Sequence, residues 1–217
     1  MSKFTKTEVE CPECGNKQEF MTFQNIIGDI DIEIKEKVLN GELFVFTCEK
    51  CGKRFPITYP CLYHDMTKKL MVYLASDENS IEEMNGILLG NSELYENQMS
   101  QGYIHRAVRT VNELAEKIMI HDMKLDDRVI EVIKMLIMFK SMNEGLDVDT
   151  IAGMFYYPGK DGAHEILIMF NDGRQSRIPI DEELMKETMD NLGEKIAANE
   201  EVGYQQINIE WVSKILQ

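Results

Sequence analysis

A chain of 217 residues with 44% apolar and 28% charged side chains excludes a wholly disordered protein and leaves room for a small module beside a larger core. No stretch approaches eighteen consecutive apolar residues, and MSKFTKTEVE lacks an apolar run, so neither a membrane-spanning helix nor a secretory leader is expected. Of the formal charge of −15, residues 1–75 carry −1 (ten Lys/Arg against eleven Asp/Glu) and residues 76–217 carry −14 (thirteen against twenty-seven), so neither part offers the basic surface that dominates nucleic-acid affinity.

Taken in order, KQEFMTF after the first cysteine pair predicts a strand, with Phe20 and Thr22 on one face and Met21 and Phe23 on the other. DIEIKEKVLNGEL predicts a short helix over 32–40 carrying Ile34, Val38 and Leu39, stopped by Gly41. ELFVFT is apolar on both faces and predicts a buried strand leading into Cys48. In KRFPITYP, Phe55, Ile57 and Tyr59 share a face, while Pro56 cannot donate to a ladder and places that strand at an edge or a bulge. KKLMVYLA predicts a strand closing the first module. Gly86, Gly90 and Gly102 interrupt the next stretch, which predicts short helices or a linker.

From Tyr103 to Ile120 the spacing of Ile104, Ala107, Val108, Val111, Leu114, Ala115 and Ile118 predicts one long helix. A second helix follows, capped by Asp126 or Asp127 and ended by Gly145. Within Val129–Phe139 only Glu131 and Lys134 are polar, so this helix is expected to be buried on several sides, inside the domain or across a dimer interface. AGMFYYPGKDGAHEILIMFNDGRQSRIPI then predicts three strands with a hairpin at Asn171–Gly173. An amphipathic helix capped by Asp181 and a short strand with a helical turn complete the reading.

Cys11, Cys14, Cys48 and Cys51 form two CxxC pairs, each followed by a glycine, Gly15 or Gly52. Two intervening residues let one tight turn aim both sulfurs at one ion, and a left-handed glycine behind them frees backbone amides to donate to sulfur. Two such turns at the tips of two hairpins match the closed tetrathiolate of a structural zinc ribbon. The 33 residues between the pairs exceed the usual spacing, and the helix at 32–40 accounts for the excess. A redox dithiol is the competing reading, opposed by the paired knuckle glycines and by the absence of a βαβ pattern; a reversible zinc redox switch is a further one. Four cysteines close the coordination shell, so the zinc is expected to be structural and not catalytic. Thiols kept in such pairs point to a reducing cytoplasm.

Cys61, His64 and Asp65 in YPCLYHDM bring a thiol, an imidazole and a carboxylate within five residues. Working Cys–His pairs are usually distant in sequence, so the plainer expectation is a loop with one semi-buried thiol; His64 could instead orient a zinc-bound sulfur. His105 and His121 are expected at opposite ends of one helix, too far apart to share a metal. Met119, Met123, Met135, Met138 and Met142 read as core filler.

CPECGNKQEF, EKVLNGELFVFTCEKCGKRF and YPCLYHDMTKKLMVYL, in that order, resemble the CpXC domain, a bacterial family named for its paired cysteines. The likeness covers about residues 8–75, and VNELAEKIMI with LDDRVIEVIK resembles the helical continuation of longer members. The resemblance implies zinc ligation by Cys11, Cys14, Cys48 and Cys51 and lends no activity. The chain departs from the pattern where CEKC lacks the proline of CPEC, and at Cys61, where an aliphatic residue is more usual.

The combined expectation is an α+β protein: a zinc-ribbon-like β module at 1–75, then at 76–217 a helical segment and an antiparallel sheet with one or two helices. It is expected to bind a protein partner or to self-associate, and not to bind nucleic acid or a membrane. The alternative is an enzyme with a site between ribbon and body using His64, Asp65 and Cys61.

Overall fold

The computed structural model describes residues 1–216, and the chain folds into two compact units. The first comprises Met1–Ala115 with Gly203–Gln205; the second comprises Glu116–Val202 and the segment from Gln206 onward. Helices and mixed sheets make the protein α+β, and the first unit carries a ribbon-like module with both cysteine pairs.

In the first unit, β1 (Lys3–Glu10) and β2 (Lys17–Ile27) form an antiparallel hairpin with the first cysteine pair in its turn. Helix α1 (Ile32–Leu39) ends where Gly41 takes a positive φ of 76°. A short 3-10 turn, Glu42–Phe44, then leads into β3 (Val45–Thr47), which pairs with β4 (Arg54–Pro56) around the second cysteine pair. Pro56 ends β4, which among the described residues pairs only with β3, an edge position where a missing N–H is tolerated.

The remaining strands are β5 (Cys61–Asp65), β6 (Leu70–Leu74) and β7 (Ile104–Val108), and the five-stranded sheet has the order β1-β2-β5-β6-β7. β2 meets β5 in parallel over Asn25–Ile27, β5 and β6 are antiparallel, and β6 and β7 are parallel. Helices α2 (Glu78–Gly90) and α3 (Ser92–Ser100) make the crossover from β6 to β7. Gln205 forms a bridge beside Arg106.

The structure departs from three expectations drawn from the sequence. The segment 61–65 is a strand and not a loop. β6 is not the last strand of its sheet: it pairs with β5 on one side and with β7 on the other, and all five of its residues are buried. Tyr103–Ile120 is not one helix: Ile104–Val108 pairs residue for residue with Leu70–Leu74, and α4 (Val111–Asp122) starts only after a turn. Thr110 Oγ1 accepts the Glu113 amide at 3.2 Å and Glu113 Oε2 accepts the Thr110 amide at 3.0 Å, a reciprocal cap that sets this start. His105 therefore sits on β7 and His121 on α4.

In the second unit, α5 (Asp127–Asn143) is capped by Asp126, whose side chain accepts the Arg128 amide at 2.9 Å. Strands β8 (Ile151–Pro158), β9 (His164–Phe170) and β10 (Gln175–Ile180) form an antiparallel sheet ordered β10-β9-β8, with the expected hairpin between β9 and β10. Helix α6 (Glu182–Ala198) starts at Asp181, whose side chain accepts the Leu184 amide at 2.8 Å, and α7 (Ile209–Ile215) follows. Ile130, Val132 and Ile133 pack with Tyr156, Ile166, Ile196, Trp211 and Val212 into one core, which Met119, Met123 and Met138 flank. Helix α5 is thus buried within its unit, although Leu136 and Phe139 face solvent. The two polar side chains within Val129–Phe139, Glu131 and Lys134, are buried as well.

Candidate metal centre

The two cysteine turns repeat one backbone construction. Cys11 N–H donates to Asn16 O at 2.8 Å and Gly15 N–H returns to Cys11 O at 2.9 Å. Cys48 N–H donates to Lys53 O at 2.9 Å and Gly52 N–H returns to Cys48 O at 2.8 Å. Closing so short a loop requires a left-handed residue, and Gly15 (φ 67°) and Gly52 (φ 70°) supply it without the steric cost a Cβ would carry. The turns aim amides at sulfur: Asn16 donates to Cys14, Lys53 to Cys51, and both Cys51 and Lys50 to Cys48. The Cys51 amide, joined by that of Lys50, lowers the Cys48 thiol to about 6 against the opposing effect of burial.

All four sulfurs lie within 4.8 Å of one another. Across the two turns, Cys11 Sγ is 3.7 Å from Cys51 Sγ and Cys14 Sγ is 3.6 Å from Cys48 Sγ. None of the four is joined in a disulfide. A tetrahedron of thiolates at the usual metal–sulfur bond length has an edge of roughly 3.8 Å, so these sulfurs could hold a metal ion with little rearrangement. Beneath them the core is small: Cys11, Phe46 and Cys48 are buried, with Val9, Phe20, Phe55 and Ile57 against them. The rings of Phe46 and Phe55 pack within it, 4.7 Å apart.

Cys61, His64 and Asp65 do not come together. Side chains alternate along β5, so Cys61, Tyr63 and Asp65 point to one buried face while Leu62 and His64 point to the other. Cys61 is 1% exposed, and burial pushes its thiol up to about 12, the opposite of an activated nucleophile. Asp65 accepts the Lys68 amide at 2.9 Å and lies 3.7 Å from Lys35 Nζ. His64 Nε2 is 3.1 Å from the Tyr103 hydroxyl, so its ring nitrogen is directed there and not at a cysteine sulfur.

The structure also groups residues that sequence spacing did not connect. His105, 3% exposed, bonds through Nε2 to Gln98 Oε1 at 3.0 Å and lies among the rings of Tyr95, Tyr103 and Tyr204. Burial, then the charge of Arg106, lower its imidazole to about 4. Reading 103–120 as one helix concealed this cluster; the Thr110–Glu113 capping pattern was the signal that would have exposed β7.

The family described as CpXC protein matches residues 9–134, which is 126 of 217 residues and more than half the chain. The chain belongs to the CpXC family. The match includes both cysteine turns and all of β2 to β7, and it continues through α4 into α5. No match was found among curated proteins, and none among solved structures. Among the described residues of this CpXC protein, no helix is long and apolar enough to cross a membrane.

Proposed function

We propose that this CpXC protein binds zinc through Cys11, Cys14, Cys48 and Cys51 in a closed, structural site, and that the module so stapled works by binding a protein partner or a second copy of the chain. The observation that carries the reading is the mutual approach of four sulfurs within 4.8 Å, in two turns of the same construction. Four soft thiolates at tetrahedral spacing suit zinc and leave no coordination position for substrate. The small apolar core beneath them explains why a metal would be needed: a few aromatic contacts cannot hold two hairpins together.

The near-neutral charge of residues 1–75 and the −14 carried by the remainder argue for proteins over nucleic acids as partners. The cytoplasm is the compartment in which unpaired thiols of this kind persist. Elemental analysis of the purified protein tests the metal: one zinc per chain is expected, lost with Cys11→Ser or Cys48→Ser. A protein that stays fully folded and metal-free after chelation would overturn the reading.

A further inference from the structure

Strand β1 is exposed along its whole length except at Val9, and half of the Phe4 side chain (51%) faces solvent. On one side β1 pairs with β2; on the other, no strand among the described residues pairs with it. β2 in turn meets β5 only through Asn25–Ile27, so most of the β1–β2 hairpin is a two-stranded ribbon projecting past the sheet. Such a ribbon is marginal alone, and an eight-residue open edge is a template for a further strand.

We propose that the outer edge of β1 is where two copies of this chain associate, antiparallel and across a two-fold axis centred on Thr7. This deepens the self-association reading above and rests on it. A two-fold axis normal to a sheet places opposite each other only residues that point to the same face, so the paired residue numbers must sum to an even value. Centring on Lys6 would oppose Lys6 to its own copy, and centring on Glu8 would oppose Glu8 to its own copy. Centring on Thr7 sets Lys6 opposite Glu8 of the second copy and Glu8 opposite its Lys6, with Thr5 facing Val9 and Thr7 facing Thr7. This register places no like charges opposite, and on the second face Thr5, Thr7 and Val9 are all β-branched.

The ribbon itself supplies a further reason. Glu8 lies directly opposite Glu19 of β2, a like-charge pair within one copy. Lys6 of a second copy would flank Glu8 on its open side and offset that repulsion. The ion pairs these residues make inside the ribbon, Lys6–Glu19 at 2.6 Å and Lys17–Glu8 at 3.5 Å, are exposed and leave room for a second acceptor or donor.

Sedimentation of the full-length, metal-bound protein with Lys6→Glu and Glu8→Lys variants tests this. The native chain should form a concentration-dependent dimer, and each single variant should dimerise about tenfold more weakly, since two facing pairs turn repulsive. Mixing the two variants should restore a heterodimer, because positions 6 and 8 are then both acidic in one chain and both basic in the other. Glu8→Lys removes the Glu8–Glu19 repulsion but also the Lys17–Glu8 ion pair, so metal content and circular dichroism establish that each variant is folded before its dimerisation is compared. A native dimer indifferent to both variants would overturn this interface and leave self-association standing. A chain monomeric at every concentration would overturn both, leaving the metal site and a different protein partner.

Discussion

Lys134 and Glu116 meet in the interior of the second unit, with Lys134 Nζ 3.1 Å from Glu116 Oε1 and the two residues 9% and 1% exposed. Glu131 closes the group from the same helix as Lys134, at 2.8 Å, and Glu116 Oε1 also accepts the Tyr156 amide at 2.6 Å, which ties α4 to β8. Burial pushes the Glu116 carboxyl up, while the two carboxylates hold the Lys134 ammonium above its ordinary value in spite of burial. Removing one member of such a group leaves a buried charge without its partner. Lys134→Ala should therefore lower stability by about 3–5 kcal/mol in urea unfolding. A loss below about 1 kcal/mol, the range of surface pairs, would show that water reaches the site.

The cysteine turns predict a different response. Cys48→Ser should abolish metal content and remove on the order of 5 kcal/mol from the first unit, because the core around Phe46 is small. Cys61→Ala, in the same unit but on the buried face of β5, should leave metal content unchanged and cost about 1–2 kcal/mol. Metal analysis and thermal unfolding of both variants distinguish a ligand from a core thiol.

Cys61 should also be chemically silent. With its thiol buried and held at about 12, alkylation by iodoacetamide at neutral pH should occur only once the chain unfolds. Mass spectrometry of native and denatured samples reads this directly.

His105 sets an acid limit. Its imidazole titrates at about 4 in the folded chain against an ordinary 6.5, so the unfolded chain binds more protons between those values and stability rises with pH across that window. The contribution is complete above 6.5 and lost as pH falls toward 4, on the order of 2 kcal/mol for this largely buried group. His105→Gln should flatten the stability profile between about pH 4 and 6.5 more than it changes stability at about pH 8.

Gly28 is kept free of a side chain by Tyr63. A Cβ there would overlap the Tyr63 hydroxyl and ring edge, and Tyr63 is fully buried. Gly28→Ala should destabilise by about 1–3 kcal/mol through overpacking, as measured by chemical denaturation.

What the linear chain determined was local. Two residues between cysteines with a glycine behind them specify the turn wherever it occurs, so both knuckles were legible, as were the cap at Asp181, a cap at Asp126 or Asp127 that the structure places at Asp126, and the hairpin at Asn171–Gly173. Tertiary structure decided everything that depends on a neighbour from elsewhere. Ile104–Val108 satisfies a helical stripe and a buried strand equally well, and only parallel pairing with Leu70–Leu74 selects the strand. Lys3–Glu10 shows little alternation because both its faces are wet, and it is a strand because β2 supplies its hydrogen bonds. Spacing marks Glu131 and Lys134 only as the polar residues of an otherwise apolar stretch; their burial together depends on Glu116, more than a dozen residues away, which pairs with Lys134. The separation of His64 from Cys61 and Asp65 has the same origin. Whether three nearby residues converge depends on the period of the backbone that carries them, and the strands on either side set that period at two.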